Sequence, residues 1–272
     1  DDPCSLFMPK VGTDNVHSEK TQKLIAQMHK AITIIQFKLE AQLIKAHPEY
    51  NMDNRLLLDK IDYKRGKLIL NGKEYPLTDT YFPTIDPEEQ ELMRRLRYSF
   101  VNSEKLRKHM RCLFSYGSIY LVRNSNLLYH ASIPLNADGS FKEITIRDKK
   151  YKGKALLDRI DQIIRIAYFD EEGSEEKKFA RDYMWYLWCG EDAPPFDKDK
   201  MATFERYFTD DKELWKEKKG YYYTLRNEER VCDMILKEFG INNIHSHIIN
   251  GHVPVKTIKG EKPVKAGGKL LV

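Results

Sequence analysis

Residues 245–256 read HSHIINGHVPVK and place His245, His247 and His252 within eight positions. The short apolar run between them predicts a buried strand, with His247 at its start and Gly251-His252 at its end. A glycine at that end permits a sharp turn or the close approach of a ligand. In extended chain His247 and His252 lie roughly 16 Å apart, so they sit at opposite ends of one strand. The expectation of a metal ligand among the three therefore falls on His252.

A second stretch repeats the pattern. In NLLYHA an apolar strand ends at His130. Open α/β sheets gather ligand groups at the carboxyl ends of their strands, where loops are free to converge. A neutral imidazole nitrogen at such an end is a good metal donor. A single histidine of this kind is more often structural than a ligand; two at strand ends make the metal reading as strong as the structural one. Lysines follow both: Lys149, Lys150, Lys152 and Lys154 after His130, and Lys256, Lys259, Lys262, Lys265 and Lys269 after His252. A phosphorylated ligand would suit that charge. Each lysine taken alone reads more simply as a solvated loop residue.

Composition bounds the rest. The chain has 272 residues, 41% of them hydrophobic, with 46 basic and 41 acidic residues and a net charge of +5. That is an ordinary globular balance, mildly favourable to anions and far from the basic footprint of a nucleic-acid binder. The run Tyr221-Tyr222-Tyr223 with nearby lysines is a weak stacking signature, and the balanced acidic count argues for no nucleic acid. No apolar run is long enough for a membrane span, so no membrane partner is expected. Cys4, Cys112, Cys189 and Cys232 are widely separated. They predict reduced thiols, buried at Cys112 and Cys232, and a cytoplasmic protein. No P-loop, GxGxxG, nucleophile elbow or zinc-finger spacing is present.

Along the chain, residues 1–17 read as loop. A long amphipathic helix follows, with Ser18 as N-cap, Pro48 as stop and an apolar series through Leu24, Ile25, Met28, Ile32, Ile35, Leu39 and Leu43. A β-hairpin turns at Asn71-Gly72. The DTYFPTIDP stretch reads as a proline-bound loop. The next helical stretch breaks near Asn102-Ser103; its Arg94, Arg95, Arg97, Arg107, Lys108 and Arg111 form a basic face, read mainly as solvated. Strands around an RNSN turn, a charged ribbon, several helices and a closing set of short strands complete the chain. The division expected is a mainly helical insert or cap with a β-hairpin over 1–115, and part of an α/β or α+β core with helical insertions over 116–272.

The stretches LLYHASIPLNADGSFKE, YKGKALLDRI, WYLWCGEDAPPFDKDKMATFERYF and SHIINGHVPVKTIKGEKPVKAGGKLLV resemble the bacterial class 3 fructose-1,6-bisphosphatases. The resemblance also takes in IIQFKLEAQLIKAHPEYNM and RLLLDKIDY, with MATFERYF and HIINGHVPVK its most specific pieces. It implies a partial calcineurin-like metallophosphatase sandwich, β-sheets flanked by helices, with a helical insert. It also implies metal-dependent hydrolysis of a sugar bisphosphate, fructose 1,6-bisphosphate, to fructose 6-phosphate and phosphate in gluconeogenesis. The implied cofactor is Mn2+ in a two-metal centre, which activates water and neutralises phosphate oxygens. By resemblance His130 and His252 are metal ligands; Arg206 of TFERYF and Lys256 are candidate substrate contacts, with an ion pair to Glu205 or a neighbour the structural alternative for Arg206. Many relatives carry glycine after the first histidine, where this sequence has Ala131.

Metallophosphatases also use Asp-x-His, Gly-Asp-x-x-Asp-Arg-Gly and Gly-Asn-His-Asp/Glu motifs, and none occurs here. The expectation is a middle-to-late portion of a longer enzyme. The alternative is a non-catalytic cap or insertion module that binds substrate or a partner subunit. The sequence leaves assembly into a homo-oligomer open.

Overall fold

Helix α1 (Glu19–Ala46) begins where the Ser18 hydroxyl accepts the Thr21 N–H at 3.2 Å, a cap worth about 1 kcal/mol. It ends at His47, just before Pro48, as the sequence predicts. The structure, a computed structural model, describes residues 18–76 and 84–272. The loop expected at 1–17 and the first part of the DTYFPTIDP loop lie outside those residues. The fold is α+β. The chain divides into two compact units, residues 1–103 with 202–216, and 104–201 with 217–272. The TFERYF helix thus joins the first unit and residues 104–115 the second, across the single division at 115 expected from sequence.

The first unit packs α1 with a small sheet. Strands β1 (Ile61–Asp62), β2 (Lys67–Leu70) and β3 (Lys73–Pro76) run antiparallel in that order. The Asn71-Gly72 turn takes φ 50° and 74°, the left-handed pair that a two-residue hairpin needs. Leu68 and Leu70 alternate inward to Ile34, Phe37, Leu57, Leu58, Phe204 and Phe208. The face of α1 was only partly predicted. Ile35 is buried, while Leu24, Ile25, Met28 and Ile32 are exposed and Gln27, Lys30 and Lys38 are buried. Lys38 explains part of this: its ammonium reaches both Glu89 carboxylate oxygens, at 2.6 and 2.7 Å. Glu89 also closes a capping box with Asp86 at the start of α2 (Pro87–Asn102).

The second unit begins with α3 (Glu104–Tyr116), after the break predicted at Asn102-Ser103. On these two helices Arg94 pairs with Glu91 and Lys108 with Glu104, the solvated reading of the basic face. The unit's main sheet has five strands. Strands β4 (Tyr120–Arg123) and β5 (Asn126–Tyr129) join through Asn124 and Ser125, both at positive φ. The ribbon of β6 (Ile144–Ile146) and β7 (Lys149–Tyr151) leads into α4 (Gly153–Phe169) and α5 (Glu175–Cys189), which pack together. After α6 (Thr203–Phe208), which belongs to the first unit, come α7 (Tyr222–Leu225), α8 (Glu229–Glu238), β8 (Ile248–Asn250), β9 (Val264–Lys265) and β10 (Leu270–Leu271). Sheet order is β4-β5-β8-β10-β9, with β8 parallel to both β5 and β10. The core between sheet and helices includes Leu127, Ile133, Leu157, Tyr222, Ile235, Leu236, Ile248 and Leu270.

Cys189 and Cys232 are buried, whereas Cys112, expected in a core, is exposed. It lies on α3, which buries none of its residues. Among the described residues no helix is long and apolar enough to cross a membrane.

Glu205 ties α6 to the first unit. Its carboxylate accepts from Arg55 Nη1 at 2.7 Å and Nη2 at 3.2 Å, and only 4% of its side chain is exposed. Removing one partner of a buried pair strands the other charge and costs about 3–5 kcal/mol. Arg55→Met is therefore expected to lower the urea midpoint strongly, while Arg94→Met, on an exposed pair, stays within the scatter of surface substitutions.

Candidate functional site

Strands β5 and β8 are parallel neighbours, with Tyr129 opposite Asn250 in register. The residues just past their carboxyl ends therefore leave the same sheet edge. These are His130, and Gly251 with His252. The Gly251 N–H donates to the His130 carbonyl at 2.9 Å and extends the pairing. His130 Nε2 and His252 Nδ1 then stand 3.1 Å apart, their rings crossing at 80°. The left-handed residue of this turn is His252, at φ 64°. A Cβ at Gly251 would meet nothing nearer than the His130 carbonyl oxygen at 3.7 Å. The backbone strain, about 1–2 kcal/mol for a non-glycine residue, is carried by the histidine, and it turns the imidazole toward His130.

Asn250 fixes this edge from below. Its Nδ2 donates to the Ala131 carbonyl at 2.8 Å and to Tyr222 Oη at 2.7 Å, and its Oδ1 accepts from Arg226 Nη1 at 3.3 Å. Tyr222 Oη is also 2.7 Å from Tyr129 Oη. All of these residues are buried. One amide thus links the chain after β5, the last residue of β8 and helix α7. The Cβ of Ala131 fits this layer, being 1% exposed. At the opposite end of β8, His247 engages Asn126, its Nδ1 3.2 Å from Oδ1, the far-end placement that strand spacing predicts.

A short ribbon stands beside the pair. Asp199 N–H donates to the Lys218 carbonyl and Gly220 N–H to the Asp197 carbonyl, both at 2.9 Å, so Lys198 faces Lys219 across an antiparallel bridge. Lys198 is paired with Glu217 at 3.1 Å. The Lys219 ammonium lies 5.4 Å from the centre of the Tyr223 ring, and that ring is 6.5 Å from the His252 ring. His252 titrates below the usual histidine range, first because it is partly buried and then because His130, Lys198 and Lys219 bring positive charge. It is therefore neutral at pH 7, the form that donates a lone pair to a metal.

Asp197 lies under the ribbon, at φ 49° and 4% exposed. Its Oδ2 is buried without a hydrogen-bond partner. Gly220 is pressed so closely on it that an added Cβ would lie 1.9 Å from Oδ1. Burial raises its pKa to about 6, with Asp192 and Glu191 adding to the shift and Ser132 and Lys142 opposing it.

Of the four site residues expected, the structure brings His130 and His252 together. Lys256 contributes positive charge at Lys219. Arg206 lies in the first unit, where its guanidinium stacks 5.4 Å from the Trp215 ring. The Glu205 partner proposed for it belongs instead to Arg55. The sequence reading missed Asn250, Asp197, Lys219 and Arg226. The Asn250-Gly251-His252 run held the only signal, since a polar residue closing an apolar strand needs a partner. Tyr222 and Tyr223 are core residues, so the tyrosine run offers no stacking platform.

The whole chain, residues 1–272, matches the family of Firmicute fructose-1,6-bisphosphatases. The chain belongs to this family. It is 67% identical over 281 residues to the fructose-1,6-bisphosphatase class 3 of Bacteroides fragilis, covering 100% of this chain and 42% of that protein. It is 54% identical over 282 residues to the class 3 enzyme of Clostridium novyi, again covering 100% of this chain and 42% of the relative. For the class 3 enzyme of Porphyromonas gingivalis the figures are 53% over 281 residues, with 100% and 43% covered. The chain thus spans less than half the length of these curated relatives. No solved structure matches it.

Two variants test the site's physics. Asn250→Leu leaves the Ala131 carbonyl, Tyr222 hydroxyl and Arg226 guanidinium short of a buried partner, at about 1–3 kcal/mol for each such group. A urea midpoint drop amounting to at least about 2 kcal/mol is expected. Asp197 is more readily protonated folded than unfolded, so its contribution is complete below about pH 4 and is lost as pH rises to about 6. Asp197→Asn is then expected to be more stable than the parent above pH 6, by up to about 3 kcal/mol, with the gap closing toward pH 4. A gap independent of pH in urea unfolding would show that the carboxyl is ionised in the folded state as readily as in the unfolded one.

Proposed function

We propose that the full-length protein is a metal-dependent fructose-1,6-bisphosphatase, and that His130 and His252 are ligands to one ion of a two-metal centre. The observation that carries this reading is the convergence of two imidazole nitrogens at 3.1 Å on the carboxyl edge of parallel strands. The match of the whole chain to relatives named fructose-1,6-bisphosphatase class 3 supports the substrate. In this reading the five-stranded sheet is part of a calcineurin-like sandwich, the enzyme is cytoplasmic, and fructose 1,6-bisphosphate is hydrolysed to fructose 6-phosphate and phosphate.

The residues fit a divalent ion. Metal–nitrogen bonds of about 2.1 Å put adjacent donors roughly 3 Å apart, close to the separation seen here. The burial and positive charge around His252 favour the neutral imidazole that binding requires. Two imidazoles suit several ions, and manganese is proposed from the family resemblance. Among the described residues no group of three or more His, Cys, Asp or Glu side chains converges. The carboxylate ligands are therefore assigned, in this proposal, to other segments of the full-length protein.

When bound, such ions activate water near neutral pH and neutralise phosphate oxygens. The chain's own contribution is to hold both imidazoles aimed at one point, through the β5–β8 register and Asn250, and to favour the neutral form of His252 by burial and nearby positive charge. Lys198 and Lys219 add a positive field that draws a phosphorylated substrate to the same edge.

His130→Ala and His252→Ala in the full-length protein test the reading. Each is expected to lose manganese, read by elemental analysis, and to lower turnover of fructose 1,6-bisphosphate by on the order of 100-fold or more, with far-UV circular dichroism unchanged. Parent-like metal content and turnover in both would make the pair structural. Equal parent turnover of several sugar phosphates would remove the substrate assignment. A full-length protein without phosphatase activity would favour the binding-module reading, which the lack of a three-ligand group in the described residues supports.

A further inference from the structure

Among the described residues, three basic groups on or beside the Lys198–Lys219 ribbon make no ion pair. Arg226 is 4% exposed; its Nη1 meets only the neutral Asn250 Oδ1, and its Nε is buried with no hydrogen bond. Its guanidinium packs on Tyr222 and Tyr223, 5.8 and 5.3 Å from the ring centres. Lys219 lies on the same Tyr223 ring, and its ammonium makes no ion pair. Lys256, which adds to the positive charge at Lys219, makes none either.

The nearby carboxylates are engaged elsewhere. Glu217 bonds Lys198; Glu261 bonds Lys265 and the Lys256 N–H. Asp197 forms no ion pair with Lys219 or Arg226. The ribbon also sets Lys198 directly opposite Lys219, a like-charge pairing that weakens a β-bridge. Buried or opposed positive charge of this kind is costly unless an anion joins it. Burial first, and then the positive charge of Lys198, Arg226 and Lys256, lowers the pKa of Lys219, with the Glu261 carboxylate opposing.

We propose that Lys219, exposed on the ribbon above the buried Arg226 and flanked by Lys198 and Lys256, binds a phosphate group, specifically the phosphate of the bisphosphate substrate that is not cleaved. The second half of that statement rests on the function proposed above, which puts the cleaved phosphate at His130 and His252. Tyr223 spaces the two positions, with Lys219 and Arg226 on its ring and His252 6.5 Å from its centre. A hexose bisphosphate carries its two phosphates at opposite ends, so one molecule can address both.

Two measurements on the full-length protein separate this proposal from the one on which it rests. The first is calorimetric titration of the metal-free parent and Lys219→Met with inorganic phosphate. The variant is expected to bind about tenfold more weakly, the loss of one charge-assisted hydrogen bond. Equal binding, or none by the parent, overturns the site whether or not the protein is a phosphatase. The second compares KM for fructose 1,6-bisphosphate and for p-nitrophenyl phosphate, which has no second phosphate. Lys219→Met is expected to raise the ratio of the two KM values about tenfold. A ratio that does not move overturns the assignment to the uncleaved phosphate. Arg226→Lys, which keeps the charge, is expected to follow the parent more closely than Arg226→Met in the phosphate titration.

Discussion

Asn250 is where strand order becomes side-chain geometry. Parallel pairing brings the ends of β5 and β8 side by side, and the backbone extends it by one bond, from the Gly251 N–H to the His130 carbonyl. The Asn250 amide carries the order one step further by holding the Ala131 carbonyl, the Tyr222 hydroxyl and the Arg226 guanidinium in a buried layer. An amide buried in a core is tolerable only when its donors and acceptor are used, and here both kinds are. His130 and His252 stand directly above that layer, one following β5 and the other following β8. Their separation is set by neighbours that have little freedom to move.

The same region links the proposed metal binding to charge. Partial burial, and then positive charge from Lys198 and Lys219, discourages protonation of His252. A histidine that stays neutral keeps its lone pair available. The charge that disfavours the imidazolium also favours an approaching phosphate. One electrostatic arrangement thus serves two ends of the proposed reaction, and its cost is visible in the unpaired ammonium of Lys219 and the buried guanidinium of Arg226.

Much of this was legible in the sequence, because local signals and tertiary structure agree. Ser18 and Pro48 bound α1, Asn71-Gly72 turns the first hairpin, and the apolar runs before His130 and His252 become neighbouring parallel strands. The illegible parts depended on partners remote in sequence. Nothing near Lys38 announces Glu89, so the buried face of α1 rotates away from the predicted stripe and leaves Leu24 and Met28 outside. Cys112 fits an apolar helical pattern, but α3 buries no face. Arg206 was expected at the substrate by resemblance, yet it stacks on Trp215, and its neighbour Glu205 pairs with Arg55, 150 positions away. Lys219 and Arg226 were missed because the Lys198–Lys219 bridge and the packing of both cations on Tyr223 are not visible in the sequence.

The most direct test of the account is the position of manganese in crystals of the full-length protein, located by anomalous scattering at the manganese edge. The expected result is one peak within bonding distance of both His130 Nε2 and His252 Nδ1, with Asn250 still holding the Ala131 carbonyl beneath it. Manganese bound elsewhere, with the two imidazoles still hydrogen-bonded to each other, would contradict the account and make the histidine pair a structural clasp between β5 and β8.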